Sequence, residues 1–306
     1  MDPMLLIANA SAGTAERRTL EEALEVLRRH ADVEVAETSN PGELDGVLHR
    51  AGSRPIVVAG GDGSLHAVVA ALYRRHELSD RVLGLLPLGT GNDFARGLGL
   101  PLEPEAAAEV LVDGVPRPMD LVVDELGEVV VNNVHLGASA HASRHGATWK
   151  SRLGSIGVGP VRLGALGYPI GAAITALRPP FVRLRVEVDG EVVTDVDRHV
   201  LMLAIGNGAS IGGGTEVAPG ADPSDGRIDV MISYATGPLQ RIGFLRKLVD
   251  GQHHDREDVV FRRAEQVSVA GEDFWLSADG ELSGPERRRA WRVEPAAYSL
   301  LLPRVD

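Results

Sequence analysis

The sequence predicts a two-domain α/β protein: a Rossmann-like parallel-sheet domain over residues 1–121, then a mainly antiparallel, sandwich-like β domain over 122–294. Three observations carry this. At roughly 150 residues per domain, a chain of 306 residues is long enough for two cores. Up to about residue 120, short apolar runs alternate with helical patterns, the signature of a parallel sheet covered by helices. From about residue 121 the pattern changes to strands joined by turns.

Element by element, Leu5 to Ala8 reads as a buried strand and is followed by a helix with Leu20, Ala23, Leu24 and Leu27 on one face. Thr19 and Glu22 stand at capping-box spacing in that helix. Val33 to Val35, a Pro41-Gly42 break, a short helix around Leu44 to Leu48 and the run Ile56 to Ala59 come next. Ala67, Val68, Ala71 and Leu72 mark another helix, which leads to the run Val82 to Leu86. In the second half, Leu184 to Val188 and Glu191 to Val193 flank Asp189-Gly190, a strong hairpin signal. Val200 to Ile205, Ile228 to Ile232 and Val267 to Val269 add strands, and Ala297 to Leu302 is apolar enough for 295–306 to rejoin the first domain.

Composition narrows the function. Hydrophobic residues make up 44% and charged residues 24%, which excludes a disordered chain. The chain has no cysteine, so thiolate zinc sites and thiol nucleophiles are excluded. A formal net charge of −12 argues against general nucleic-acid binding, which needs a basic stripe. The N-terminus lacks the features of a signal peptide, and the longest uncharged stretch, Leu163 to Leu177, is shorter than the ~20 residues needed to cross a bilayer. A cytoplasmic protein is the expectation.

Two glycine-rich turns carry the chemistry. In the first, an apolar strand runs into Gly60-Gly61-Asp62-Gly63-Ser64-Leu65-His66 and then a helix. Such a turn lets main-chain N–H groups converge on an anion at a helix N-terminus, although a tight turn without a ligand fits the residues equally well. P-loop spacing and the G-x-G-x-x-G pattern are absent. In the second, a strand ends in Pro87-Leu88-Gly89-Thr90-Gly91-Asn92-Asp93-Phe94-Ala95-Arg96. Thr90 could donate to a phosphate oxygen and Asp93 could reach Mg²⁺, while Asn92 or Asp93 could simply cap the next helix.

Together these strings resemble the diacylglycerol kinase catalytic-domain family, in particular its bacterial soluble lipid kinases of the YegS type; NAD kinases share the first turn but not the second. The resemblance implies an NAD-kinase/diacylglycerol-kinase-like fold, with the first domain binding nucleotide and the second binding a lipid acceptor. It implies ATP as phosphoryl donor, Mg²⁺ as cofactor and a lipid alcohol such as diacylglycerol as acceptor. Asn9-Ala-Ser-Ala-Gly13 is similar to the family's opening Asn-Pro-x-x-Gly, with Ala10 in place of proline, and Thr38 falls at a nucleotide-contacting threonine. Ser64 replaces the family's usual threonine and keeps the hydroxyl. The implied nucleotide set is therefore Asn9, Thr38, Gly60, Gly61, Asp62, Gly63, Ser64, Leu65, His66, Thr90, Asn92 and Asp93.

Pro219 to Val230 resembles the family's structural Mg²⁺ segment. Asp225 would supply a carboxylate there, and Asp222 and Arg227 main-chain oxygens; a plain Asp-Gly turn is the alternative. Asp279-Gly280-Glu281 resembles the motif that carries the catalytic carboxylate, with Glu281 implied as the base and Asp279 as second choice. Read without the resemblance, it is a hairpin turn. A kinase of the same fold acting on a sphingoid or soluble alcohol, and a nucleotide- or lipid-binding protein without catalysis, stand as alternatives, and a homodimer is compatible with the sequence.

The charge pattern has one exception. Residues 129–186 contain no Asp or Glu, but include Arg144, Lys150, Arg152, Arg162, Arg178, Arg183 and Arg185. Such a segment could lie peripherally against an anionic membrane surface and form the lip through which a lipid enters; a solvated or ion-paired face is the alternative.

Overall fold

The computed structural model describes residues 3–10, 13–138, 140 and 181–304. Most of the acid-free segment, Leu163 to Leu177 within it, and Ser11 and Ala12 of the opening motif lie outside the described residues. In the first part the order is β1 (Met4–Asn9), α1 (Thr14–Leu27), β2 (Val33–Thr38), α2 (Pro41–Ala51), β3 (Ile56–Gly60), α3 (Asp62–Arg74), β4 (Val82–Pro87), α4 (Asp93–Gly97) and α5 (Pro104–Asp113). Next come β5 (Val115–Asp124), β6 (Val129–Val130), β7 (Asn133–Gly137), β8 (Val182–Val188), β9 (Glu191–Thr194), β10 (His199–Val200) and β11 (Met202–Gly206). The chain continues with β12 (Ser210–Ile211), β13 (Thr215–Glu216), β14 (Ile228–Ser233), α6 (Pro238–Val249), β15 (Val259–Ala264), β16 (Gln266–Ala278) and β17 (Glu281–Leu302).

The first four strands are parallel in the order β4-β3-β1-β2, so their C-terminal ends share one edge. Their apolar runs are continuous because both faces are covered. Leu5, Ile7, Ile56 and Val58 pack with Leu44 and Leu48 of α2 and with Leu65, Val68 and Leu72 of α3. Met4, Leu6, Val57 and Leu86 face the other way, against Leu20, Leu24 and Leu27 of α1 and Leu111 of α5. The second part is antiparallel, with β15-β14-β11-β7-β16 in sequence across the sheet. β17 joins the two parts: its first half pairs with β16, Ser299 and Leu300 near its end pair in parallel with β4, and β5 flanks it for much of its length. Tyr298, Leu300 and Leu302 thereby enter the core beneath α3.

Several expectations need correction. α1 begins at Thr14, so Thr19 is interior, and it is Glu16 that reaches back to the Gly13 N–H at 3.2 Å. Pro41 and Gly42 are the first turn of α2, where the Asn40 side chain accepts from the Glu43 N–H and proline's missing N–H is harmless. Ala67 is exposed, and Leu65 and Val69 complete the buried face of α3 instead. The run Val200 to Ile205 is split, because β10 pairs with β8 whereas β11 lies between β7 and β14. The expected hairpin is present, with Asp189 (φ 49°) and Gly190 (φ 83°) both left-handed as a type I′ turn requires. The boundary expected after residue 121 falls within β5. In the described part of the acid-free segment, residues 129–138 are buried, Arg185 pairs with Glu187 and Asp195, and Arg183 lies near Glu272.

Two outcomes are expected. Leu300→Ala removes a fully buried side chain where β17 meets the first core, so urea titration should show a loss of about 2–5 kcal/mol. His135 on β7 is buried, and desolvation lowers its pKa to about 4. The unfolded chain binds a proton there near pH 6.5 that the folded chain refuses. Stability should therefore fall by up to about 3 kcal/mol as pH drops from 6.5 towards 4, and His135→Gln should flatten that slope.

Candidate active site

The shared C-terminal edge gathers most of the sequence-predicted nucleotide set. Asn9 and Thr38 are paired neighbours at the ends of β1 and β2, and β3 and β4 end at Gly60 and Pro87, directly before the two glycine turns. The turns touch through their main chains. A Cβ on Gly89 would sit 2.5 Å from Gly61 Cα and 2.8 Å from Asn92 Oδ1, so only hydrogen fits there. The Leu88 N–H donates to Gly60 O at 3.1 Å and completes the seam. Asn92 has left-handed dihedrals (φ 51°, ψ 42°), and its Nδ2 donates to Gly89 O at 2.8 Å, which closes the second turn on itself.

The carboxylates between the turns bind main chain. Asp62 accepts from Asp93 N–H at 2.9 Å and Phe94 N–H at 3.0 Å and so caps α4 from the first turn. Burial raises its pKa, partly against those two bonds, and the charges of Asp93 and Asp279 push the same way as burial. Asp93 in turn accepts from Gly213 N–H at 2.9 Å and Gly214 N–H at 2.6 Å in the loop between β12 and β13. The first-turn N–H groups of α3 at Asp62 and Gly63 have no acceptor within the helix and face this edge. Ser64 is half-buried and Thr90 exposed. Leu65 does not belong to the set by its side chain, which is in the core, and its N–H already donates to Gly61 O.

Opposite the first turn stands the hairpin between β16 and β17, another type I′ turn with Asp279 (φ 47°) and Gly280 (φ 90°). The hairpin reading of these residues therefore holds. The Asp279 side chain, 1% exposed, accepts from the N–H groups of Val131 at 2.7 Å, Asn132 at 2.9 Å and Asn133 at 3.0 Å. His66 Nδ1 lies 2.8 Å from its Oδ2. Four donors leave Asp279 no room to take a proton from a substrate, whereas Glu281 is exposed. His66, expected at the nucleotide, is thus also the link between α3 and the hairpin. The site further includes Asn132 and Asn133, whose Nδ2 groups both donate to Ser210 O, at 3.0 Å and 2.9 Å. Two asparagines within the apolar run Val129 to Leu136, and three consecutive glycines at 212–214, are the sequence signals that would have found these parts.

The Mg²⁺ residues lie elsewhere, and the one carboxylate the ion would use, that of Asp225, is taken up by other donors. One oxygen of Asp225 accepts from the Arg227 N–H at 3.0 Å and the other is held by the guanidinium of Arg263. Asp222 accepts from the N–H and hydroxyl of Ser224. Among the described residues no group of three or more His, Cys, Asp or Glu side chains could hold a metal.

This arrangement has known counterparts. Residues 3–123 match the diacylglycerol kinase catalytic domain, and 134–302 match the YegS C-terminal NAD kinase beta sandwich-like domain. A Pseudomonas aeruginosa protein named "Probable lipid kinase YegS-like" is 33% identical over 98% of this chain and 94% of its own. The chain belongs to the diacylglycerol kinase catalytic-domain family. Among other relatives of this family member, a Mycobacterium tuberculosis diacylglycerol kinase is 31% identical over 83% of this chain and 78% of its own. The crystal structure of a Bacillus anthracis diacylglycerol kinase superposes with a TM-score of 0.70 at 18% identity over 98% of this chain and 97% of that one, which shows the shared fold. Like its relatives by name, the family member is a kinase-type phosphotransferase, and no helix among its described residues is long and apolar enough to cross a membrane.

The contact between the turns is open to test in this kinase. Gly89→Ala should cost about 1–3 kcal/mol in thermal unfolding, because the new methyl meets the Gly61 main chain. Gly97→Ala on α4, where nothing lies within 4 Å, is the control and should leave stability within about 1 kcal/mol of wild type.

Proposed function

We propose that the protein transfers the γ-phosphoryl group of ATP to a hydroxyl of a lipid such as diacylglycerol. The observation that carries this reading is the position of the Asp279-Gly280-Glu281 hairpin, tied by the His66–Asp279 bond to the helix that starts at the first glycine turn. The nucleotide lies along the edge formed by Asn9, Thr38 and the two glycine turns, with its phosphates on the first-turn N–H groups of α3 and near Ser64 and Thr90. The acceptor enters from the second domain. Glu281 takes the hydroxyl proton while the acceptor oxygen bonds to phosphorus and the bond to the ADP oxygen breaks. Asp62 and Asp93 act by fixing the turns. Mg²⁺, when it accompanies the nucleotide, would neutralise triphosphate charge.

The support is the family, the relatives named as diacylglycerol and lipid kinases, and the convergence of three motifs at one edge. Transfer of label from radiolabelled ATP to a panel of lipid alcohols tests it. Glu281→Gln should reduce transfer by about 10²–10⁴-fold without loss of fold. A wild-type rate in that variant would remove Glu281 as the base, and label on a soluble alcohol alone would replace the acceptor. Gly63→Ala adds a methyl with nothing within 4 Å, so folding should be intact while affinity for ATP drops by about tenfold or more, read by equilibrium titration.

A further inference from the structure

We propose that His66 acts as an imidazolium: Asp279 holds its Nδ1–H, and its Nε2–H is presented to the phosphoryl group in transfer. This rests on the kinase reading above and adds a charged donor to it. His66 is two residues beyond Ser64, at the start of the second turn of α3, directly behind the turn expected to cradle the phosphates. The Asp279 carboxylate already accepts three main-chain N–H bonds, so the fourth contact, 2.8 Å from His66 Nδ1, fixes hydrogen on Nδ1. That leaves Nε2, which has no partner among the described residues, on a side chain 18% exposed.

The surroundings favour the charged ring. Burial opposes protonation, but the bond to Asp279 and the charges of Asp279, Glu281 and Glu128 outweigh it, and the net pKa lies above the ordinary histidine value. The groups that face the ring are carboxylates: Asp279 and Glu281 from the β16–β17 hairpin and Glu128 from the turn before β6. Asp62, one turn back on α3, feels the charge of Asp279 as well. A polyanionic nucleotide entering among these groups needs a cation, and its arrival strengthens the hold of His66 on the proton. In the transfer step His66 keeps its proton. The bond from phosphorus to the ADP oxygen breaks, the bond to the acceptor oxygen forms, the hydroxyl proton goes to Glu281, and the Nε2–H stabilises charge on the equatorial phosphoryl oxygens.

The test is a histidine-ring NMR titration from about pH 5.5 to about 9, with and without a non-hydrolysable ATP analogue. It is paired with pH–rate profiles for transfer from ATP to a short-chain diacylglycerol in micelles. The His66 signal, assigned by its loss in His66→Gln, should titrate above the ordinary histidine value, and the analogue should raise its midpoint by about half a pH unit or more. Wild-type kcat should fall about tenfold per pH unit above that midpoint. His66→Gln, whose amide can still donate to Asp279, should lack this alkaline limb, with kcat lower by about 10²-fold and KM for ATP raised by about threefold or more, as the linked rise in midpoint requires. Binding of the analogue without a shift in the His66 midpoint would overturn the proposal, as would an alkaline limb that survives in His66→Gln. An analogue that does not bind at all, with no transfer from ATP at any pH, would instead sink the kinase reading, and this proposal with it.

Discussion

A buried carboxylate holds the two halves of the site in register. Asp279 gathers three successive main-chain N–H groups from the segment that leads into β7, and it meets a histidine from a helix more than two hundred residues earlier in the chain. In the low dielectric at this depth each charge-assisted bond is strong, and an unmatched donor would be costly. The hairpin can therefore not shift against α3 without stranding several polar groups together. The distance between the expected phosphate cradle and the exposed Glu281 follows from that one anchor.

The larger frame serves the same end. β17 is a single strand that contributes Trp291 and Val293 to the second core and Tyr298, Leu300 and Leu302 to the first. Burying each such side chain contributes roughly 1.5–3 kcal/mol, so the strut is secured at both ends by apolar area while its first residue, Glu281, stays exposed. Asp62, Asp93 and the Gly213–Gly214 N–H groups form a second tether, which runs from the first glycine turn through the second to the β12–β13 loop. Both tethers use carboxylates that residue type alone would assign to metal or nucleotide.

Much of the parallel layer was legible because its signals are local. Ile56 to Ala59 is an uninterrupted apolar run, Asp189-Gly190 can only favour a tight hairpin, and the face of α1 repeats at helical spacing. The two glycine strings were legible as motifs for the same reason. Depth and partner were not. Nothing in the residues around Asp279 reveals that its side chain is 1% exposed, since three of its four donors are main-chain groups that carry no residue signature. The order β7-β11-β14 across the second sheet was hidden because those strands are far apart in sequence and short apolar runs do not name their neighbours. Thr19 and Glu22 fitted a capping rule that Gly13 and Glu16 satisfied earlier in the chain.

The meeting of Gly61 with Gly89 has a further consequence. Side chains that line a cleft hop between rotamers in picoseconds to nanoseconds, so a gap they define breathes on that timescale. Here two peptide backbones abut in van der Waals contact, so no side-chain rotamer sets their separation. The spacing of the two turns is thus set by main chain alone. Side-chain variation elsewhere in the chain can reshape their surroundings without changing that contact.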